Sequence, residues 1–257
     1  MSHKYNNIIN LTVDQLFKAR LHLGHRVNKL DLNMLVYILG TRHKITIFNL
    51  QQILICLRIV FKAISEIVKQ RGHFFLVGTN QDLPMIEIFY YFFYKYSNIN
   101  INEKNFHITG FAGSKWVGGI FSNWHGTFKF IDHIKNSSQL KQSSVRYTKY
   151  LKNLQGLNQN TKKKPIPDFV FLFNNDTTAL KEINNLNIPV IGLADSNTNP
   201  KSFLYKLPGN DDGLESIQFF CNFIERAVID GKKQDQERFF LFCLKKLKKY
   251  IKNEKFL

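Results

Sequence analysis

Two short stretches hold most of the side chains that could do chemistry. His22-Leu-Gly-His25 is followed by Arg26 and Lys29, so two imidazoles and two cations surround one glycine. Residues 115–123, Lys-Trp-Val-Gly-Gly-Ile-Phe-Ser-Asn, combine a cation, an indole, two glycines that allow close backbone approach, and an amide donor. Such groups grip a sugar-phosphate surface: cations and N–H donors meet phosphate oxygens, and an exposed indole stacks on a base. Arg42, Lys44 and Lys129 are further cations flanking these stretches. Paired histidines can also hold a metal. No third ligand of Cys, His or Asp type follows His22 and His25 at the usual spacing, and Arg26 and Lys29 would repel a cation. The sequence therefore predicts histidines that bond or face phosphate, and no metal site.

The acid–base candidates are Asp195, Asp211 and Asp212, but no nucleophile or base accompanies them. Asp211 and Asp212 read as caps at a helix N-terminus, where a carboxylate complements the dipole. Neither GxGxxG after a first strand nor GxxxxGK[ST] occurs. Gly78-Thr79 ends a strand at a plausible switch point and reads as a tight turn. No catalytic residue, cofactor or small-molecule substrate is expected. A nucleotide- or flavin-binding α/β enzyme is the alternative.

The charge distribution favours a polyanion. The 257 residues carry 36 Lys+Arg and 19 Asp+Glu, a net +17. Residues 1–128 have a net +8 and residues 129–164 another +8, whereas residues 165–231 have −5 and residues 232–257 +6. Segregation of this kind fits faces that meet a polyanion and another that is free or meets protein. Three separated cysteines (Cys56, Cys221, Cys243) exclude a disulfide framework and any CxxC site. No apolar run reaches the roughly 18 residues a membrane span needs, so no membrane is expected as partner. The basic helix near the C-terminus leaves membrane-surface binding as a second alternative.

Periodicity supplies the elements that must position these residues. Thr12 can cap a short helix from Val13 to about His22, and residues 44–48 alternate as a strand. Asn49 and Gln52 have capping-box spacing before a helix with Ile53, Leu57, Val60, Phe61, Ile64 and Val68 on one face, and Gly72 stands where a left-handed C-cap belongs. Strands follow at 73–77, 106–108, 168–173 and 188–193. A helix opens near Asp82, a second is capped by Asp176 with Ala179, Leu180, Ile183 and Leu186 inward, and a third starts from residues 210–212. Apolar strands alternating with helices predict a doubly wound α/β fold, flavodoxin- or Rossmann-like, with a parallel sheet covered by helices on both faces. Residues 129–164 are basic, with one thin stripe (Tyr147, Leu151, Leu154), and read as a projecting helical hairpin. The domain spans 1–231, and 232–257 form a basic amphipathic tail.

These motifs, in this order, resemble the family of small ribosomal subunit protein number two. His22-Leu-Gly-His25, Tyr37-Ile-Leu-Gly-Thr-Arg42, Phe75-Leu-Val-Gly-Thr79, the 115–123 stretch, Pro167-Asp168, Ile188–Ile191, Asp195-Ser-Asn197 and Pro208–Asp212 match its signatures across roughly residues 12–230. The chain departs from the family at Leu30-Asp-Leu-Asn-Met34, where the family has Trp-Asn-Pro-Lys-Met, and at Lys115, where it has Arg. The resemblance implies a non-catalytic constituent of the small subunit, bound to ribosomal RNA near the head–body junction and beside other ribosomal proteins. On residue chemistry and this likeness the expected RNA-binding set is His22, His25, Arg26, Lys29, Arg42, Lys44, Lys115, Trp116, Gly118, Gly119, Asn123 and Lys129. Asn, Lys, Ile, Phe and Tyr make up 114 of the 257 residues, the signature of an AT-rich gene. With no signal-peptide or presequence pattern in residues 1–10, this bias predicts an organelle-encoded member, mitochondrial before plastid, with an AT-rich bacterium as the source that would give the same composition.

Overall fold

The computed structural model describes residues 11–80, 82–85, 87–89, 91, 108–136, 153–154, 157 and 166–254. Helix α1 (Val13–Lys18) leads into β1 (Leu23–Arg26), β2 (Ile38–Arg42), β3 (Ile45–Phe48), α2 (Leu50–Lys69), β4 (Phe74–Val77) and β5 (Ile108–Ala112). After α3 (Trp124–Asn136) come β6 (Phe169–Leu172), α4 (Thr177–Asn185), β7 (Val190–Ala194), β8 (Tyr205–Pro208) and α5 (Leu214–Glu254).

Five strands form one parallel sheet in the order β5-β4-β6-β7-β8. Counted along the chain, its first strand lies between the second and the third, the flavodoxin-like doubly wound order. Every residue of β4, β6 and β7 is buried, which requires cover on both faces. Successive side chains alternate between those faces. Phe74 stacks on Phe169 at 5.0 Å, and its neighbour Phe75 meets Phe121 edge-on at 5.1 Å. The expected α/β class is the one observed.

The helices form for the local reasons their sequences suggest, with some changes at the ends. In α1, Thr12 and Gln15 make a reciprocal capping box, but the helix stops at Lys18 because Arg20 turns left-handed (φ 56°). In α2, Asn49 caps through the Gln51 N–H rather than in a box with Gln52, and the expected apolar face is buried. The left-handed residue after α2 is Arg71 (φ 61°), not Gly72. Gly72 is needed for proximity: a Cβ there would lie 2.9 Å from the Ile67 carbonyl oxygen, which accepts the Gly72 N–H at 2.8 Å. Asp176 caps α4 by accepting from the Thr178 and Ala179 N–H groups, and Ala179, Leu180 and Ile183 are buried as expected.

Several elements differ from expectation. The strand expected at 44–48 starts at Ile45 and belongs to a second, antiparallel sheet ordered β1-β3-β2, outside the parallel one. Strands β1, β2 and β8 were not foreseen, because they are short and, β8's last two residues apart, only partly buried. β5 begins at Ile108, where the sequence placed a strand's end. Asp82–Pro84 form a turn, and residues 85, 87–89 and 91 are helical. Helix α5 continues unbroken past residue 232, so the change of charge there is not a change of backbone.

The insertion is rooted in the main core. Phe128, Ile131, Leu154 and Leu157 join the same buried cluster, and Leu157 bridges to Gly110. Tyr147, Leu151 and the tip of the expected hairpin lie outside the described residues.

Helix α5 lies against α2, and the two backbones approach closely at Gly231. A Cβ at 231 would sit 2.5 Å from the Ser65 carbonyl oxygen and 2.8 Å from Val68 Cβ. Gly231→Ala is therefore expected to destabilise the protein by about 1–3 kcal/mol, because backbone cannot yield as a side-chain end can. Thermal unfolding followed by circular dichroism measures this, and an unchanged melting temperature would refute the close approach.

Candidate nucleic-acid interface

The small sheet presents cations in a row. Arg26 of β1 and Arg42 of β2 both pair with Ile45 of the central strand β3, which puts the three on one face. Arg26, Arg42 and Lys44 are exposed, as is Lys29 just beyond β1. The two-residue turn between β2 and β3 is His43-Lys44, with φ 50° and 63°. Positive φ at both positions is the mirror-image turn whose twist suits a hairpin, usually occupied by Asn or Gly. Holding two side-chain-bearing residues there costs about 1–2 kcal/mol each, and it places a cation at the tip.

This sheet is seated on the end of β7. Gly24 has no room for a side chain: a Cβ would meet Thr46 Oγ1 at 2.5 Å and Ser196 Oγ at 3.0 Å. The His25 N–H donates to Ser196 Oγ (2.8 Å), Thr46 Oγ1 donates to the His25 carbonyl (2.9 Å), and the Asp31 N–H donates to the Ser196 carbonyl (2.8 Å).

The two histidines face inward. His22 stacks on Phe17 with ring centroids 4.3 Å apart, and its Nδ1 is buried with no hydrogen-bond partner. Burial lowers its pKa, favouring the neutral ring over a phosphate-binding cation. His25 Nδ1 lies 3.1 Å from Asp195 and Nε2 lies 3.2 Å from Asp212. The hydrogen bond with Asp195 raises the His25 pKa against the cost of burial, helped by the charges of Asp195, Asp212 and Asp211. Both ring nitrogens are thus engaged by carboxylates, which leaves this histidine poorly placed for phosphate.

The same cluster corrects the reading of Asp211 as a helix cap. Its carboxyl is buried, one oxygen has no partner, and burial beside Asp195 pushes its pKa up to about 8. Asn210 Oδ1 instead accepts the Asp212 N–H at 2.9 Å. Ligand atoms of His25, Asp195, Asp211 and Asp212 all lie within 4.8 Å of one another. One imidazole nitrogen and three carboxylate oxygens suit a divalent cation of zinc type. Sequence spacing around His25 could not reveal this, because the carboxylates come from the ends of β7 and β8.

At the other edge of the parallel sheet, the stretch after β5 forms a loop. Lys115, Gly118 and Asn123 are exposed, and so is Lys129 on α3. Gly119 is left-handed (φ 91°), the conformation glycine adopts without strain. Trp116 departs from expectation: it is 5% exposed, and its indole N–H donates to Glu182 at 3.0 Å. An indole held this way is not free to stack on a base. Glu182 was not singled out in the sequence, where it is one charge on a short helix.

The switch point between β4 and β6 is closed by the chain itself. The Thr79 N–H donates to Asn174 Oδ1 (2.8 Å), Thr79 Oγ1 to Asp176 (2.8 Å), and Asn174 Nδ2 to Thr79 Oγ1 (2.9 Å). Burial works against the Asp176 charge, but hydrogen bonds from Thr178, Ala179 and Thr79 hold its pKa below the usual carboxylate range. A crevice laced by side chains around a carboxylate repels the phosphates that dinucleotides and flavins carry.

A family model described as Ribosomal protein S2 matches residues 16–231. The chain belongs to this family. Proteins named small ribosomal subunit protein uS2 resemble it along most of their length. That of Ehrlichia chaffeensis is 27% identical over 241 residues, covering 89% of this chain and 79% of the relative. That of Bartonella quintana is 27% identical, covering 88% of each. That of Wigglesworthia glossinidia brevipalpis is 27% identical over 243 residues, covering 90% of this chain and 96% of the relative. These relatives carry the name of a ribosomal protein, not of an enzyme. They are also bacterial, which overturns the expectation of a mitochondrial or plastid home and points to a bacterial ribosome. The composition behind that expectation reports the base content of a genome, and AT-rich bacteria produce the same bias. Among the described residues no helix is long and apolar enough to cross a membrane.

Two outcomes test this geometry. Zinc is expected to raise the melting temperature of the wild-type protein, as any ligand selective for the native state does, and to leave His25→Ala unchanged. Equal shifts in both proteins would exclude the cluster. Replacing the turn by His43→Asn with Lys44→Gly should stabilise the fold by about 1 kcal/mol in urea denaturation, and a loss of stability would argue against the mirror-image turn.

Proposed function

We propose that the chain is a structural constituent of the small ribosomal subunit that holds ribosomal RNA through phosphate contacts near the head–body junction. The observation that carries this reading is the row of Arg26, Ile45 and Arg42 across three strands, with Lys44 at the tip of a turn that disfavours it. Strain at an exposed cation makes sense where the cation has a partner. Lys29 extends the row, and Lys115, Asn123 and Lys129, with the exposed Gly118 backbone, form a second set on the far edge of the sheet. His22, His25 and Trp116 support these surfaces from within, and Gly119 shapes the loop.

Other ribosomal proteins complete the set of partners. Leu32, Val36 and Leu39, in the segment that leads into and opens β2, are 78%, 74% and 72% exposed, and a protein neighbour would cover such side chains. The unit comprises residues 1–231, with the basic insertion at about 129–164, and residues 232–257, of which 232–254 continue α5, serve as a basic arm towards a neighbour.

The test is binding to small-subunit ribosomal RNA over a range of salt. Replacing Arg26, Arg42 and Lys44 together by alanine should leave the melting temperature within a few degrees and make the slope of log affinity against log salt shallower by about two to three. A slope equal to that of the wild type would remove these residues from the interface.

A further inference from the structure

The 115–123 loop has the form of an anion nest. It directs the backbone N–H groups of Gly119, Phe121 and Ser122 towards one point, the kind of arrangement that cradles phosphate in many proteins. In this chain that point is occupied by the carboxylate of Glu182 on α4. One oxygen accepts from the Trp116 indole N–H and the Gly119 N–H, both at 3.0 Å. The other accepts from the Phe121 and Ser122 N–H groups at 2.9 Å and from Ser122 Oγ at 3.0 Å. A single carboxylate therefore meets five donors of one loop. The loop is tied onward to α3, where Thr127 Oγ1 donates to the Gly119 carbonyl (3.1 Å) and the Asn123 N–H donates to the same oxygen (3.1 Å).

We propose that Glu182 is a positioning residue for RNA binding: it fills the nest as a built-in anion and fixes the loop so that Lys115 and Asn123 stand outward with Lys129. An RNA phosphate is then met by those outward side chains and not by the nest, since a second anion there would face the Glu182 charge. The inference rests on the reading of this loop as part of the RNA face.

The test compares Glu182→Gln with Lys115→Ala/Lys129→Ala in the full chain. Glutamine keeps the volume but turns an NH2 group towards N–H donors. In Glu182→Gln the Trp116 indole and the amides of Gly119, Phe121 and Ser122, slow to exchange in the wild type, should exchange faster while amides of β4 and β6 do not. Its affinity for small-subunit ribosomal RNA should fall about tenfold with a shallower salt slope, as expected when phosphate contacts are lost. In a Lys115→Ala/Asn123→Ala/Lys129→Ala background the same change should add no further loss, a non-additivity that general destabilisation would not produce. Wild-type affinity in Glu182→Gln, alongside a loss in the lysine variant, overturns the inference alone. Wild-type affinity in the lysine variant overturns the reading beneath it and the inference together. Should Glu182→Gln not fold, Trp116→Phe/Ser122→Ala strips two donors and keeps the carboxylate. That variant should weaken binding a few-fold, and wild-type affinity in it would refute the proposal.

Discussion

A carboxylate withdrawn from water must be met by donors or give up its charge, and in this chain that requirement ties the parts together. Glu182 gathers the loop after β5 onto α4 through five donors. Asp176 caps α4 and draws Thr79 across from the end of β4. Asp195 receives His25 from the small sheet. Asp211, without a donor for one oxygen, shows the cost, since burial beside Asp195 pushes its pKa up to about 8.

This inward use of acid explains the charge pattern along the chain. Within the acidic segment 165–231, Asp176, Glu182, Asp195 and Asp211 turn towards neighbouring backbone and side chains and Asp168, Asp212 and Glu215 stay exposed, while Arg26, Lys29, Arg42, Lys44, Lys115 and Lys129 are all exposed. For a protein that neutralises folded RNA, the economy lies in spending carboxylates on architecture.

Much of the fold was legible in local pattern. The period of Ile53, Leu57, Val60, Phe61, Ile64 and Val68, the cap at Asp176 and the uninterrupted apolar runs at 169–172 and 190–194 are signals contained within single elements. β1, β2 and β8 were not legible, because short strands on a half-covered sheet lack an apolar run or a clean alternation. The site was legible as types of residue and illegible as geometry. Lys115 and Asn123 are singled out by their chemistry and stand exposed, whereas the burial of Trp116 depends on Glu182, which lies 66 positions away.

Sequence by itself determined the α/β class, the placing of the long helices, the basic character of the exposed segments and the family, since each depends on composition or on order along the chain. Tertiary structure alone decided that residues 45–48 leave the parallel sheet for a second one. It decided as well that His25 meets two distant aspartates and that the glycine-rich loop closes around an internal carboxylate. The physical reason is the same in each case: a hydrogen bond or ion pair depends on distances of about 3 Å between atoms, and only the folded chain brings residues so far apart in sequence to that range.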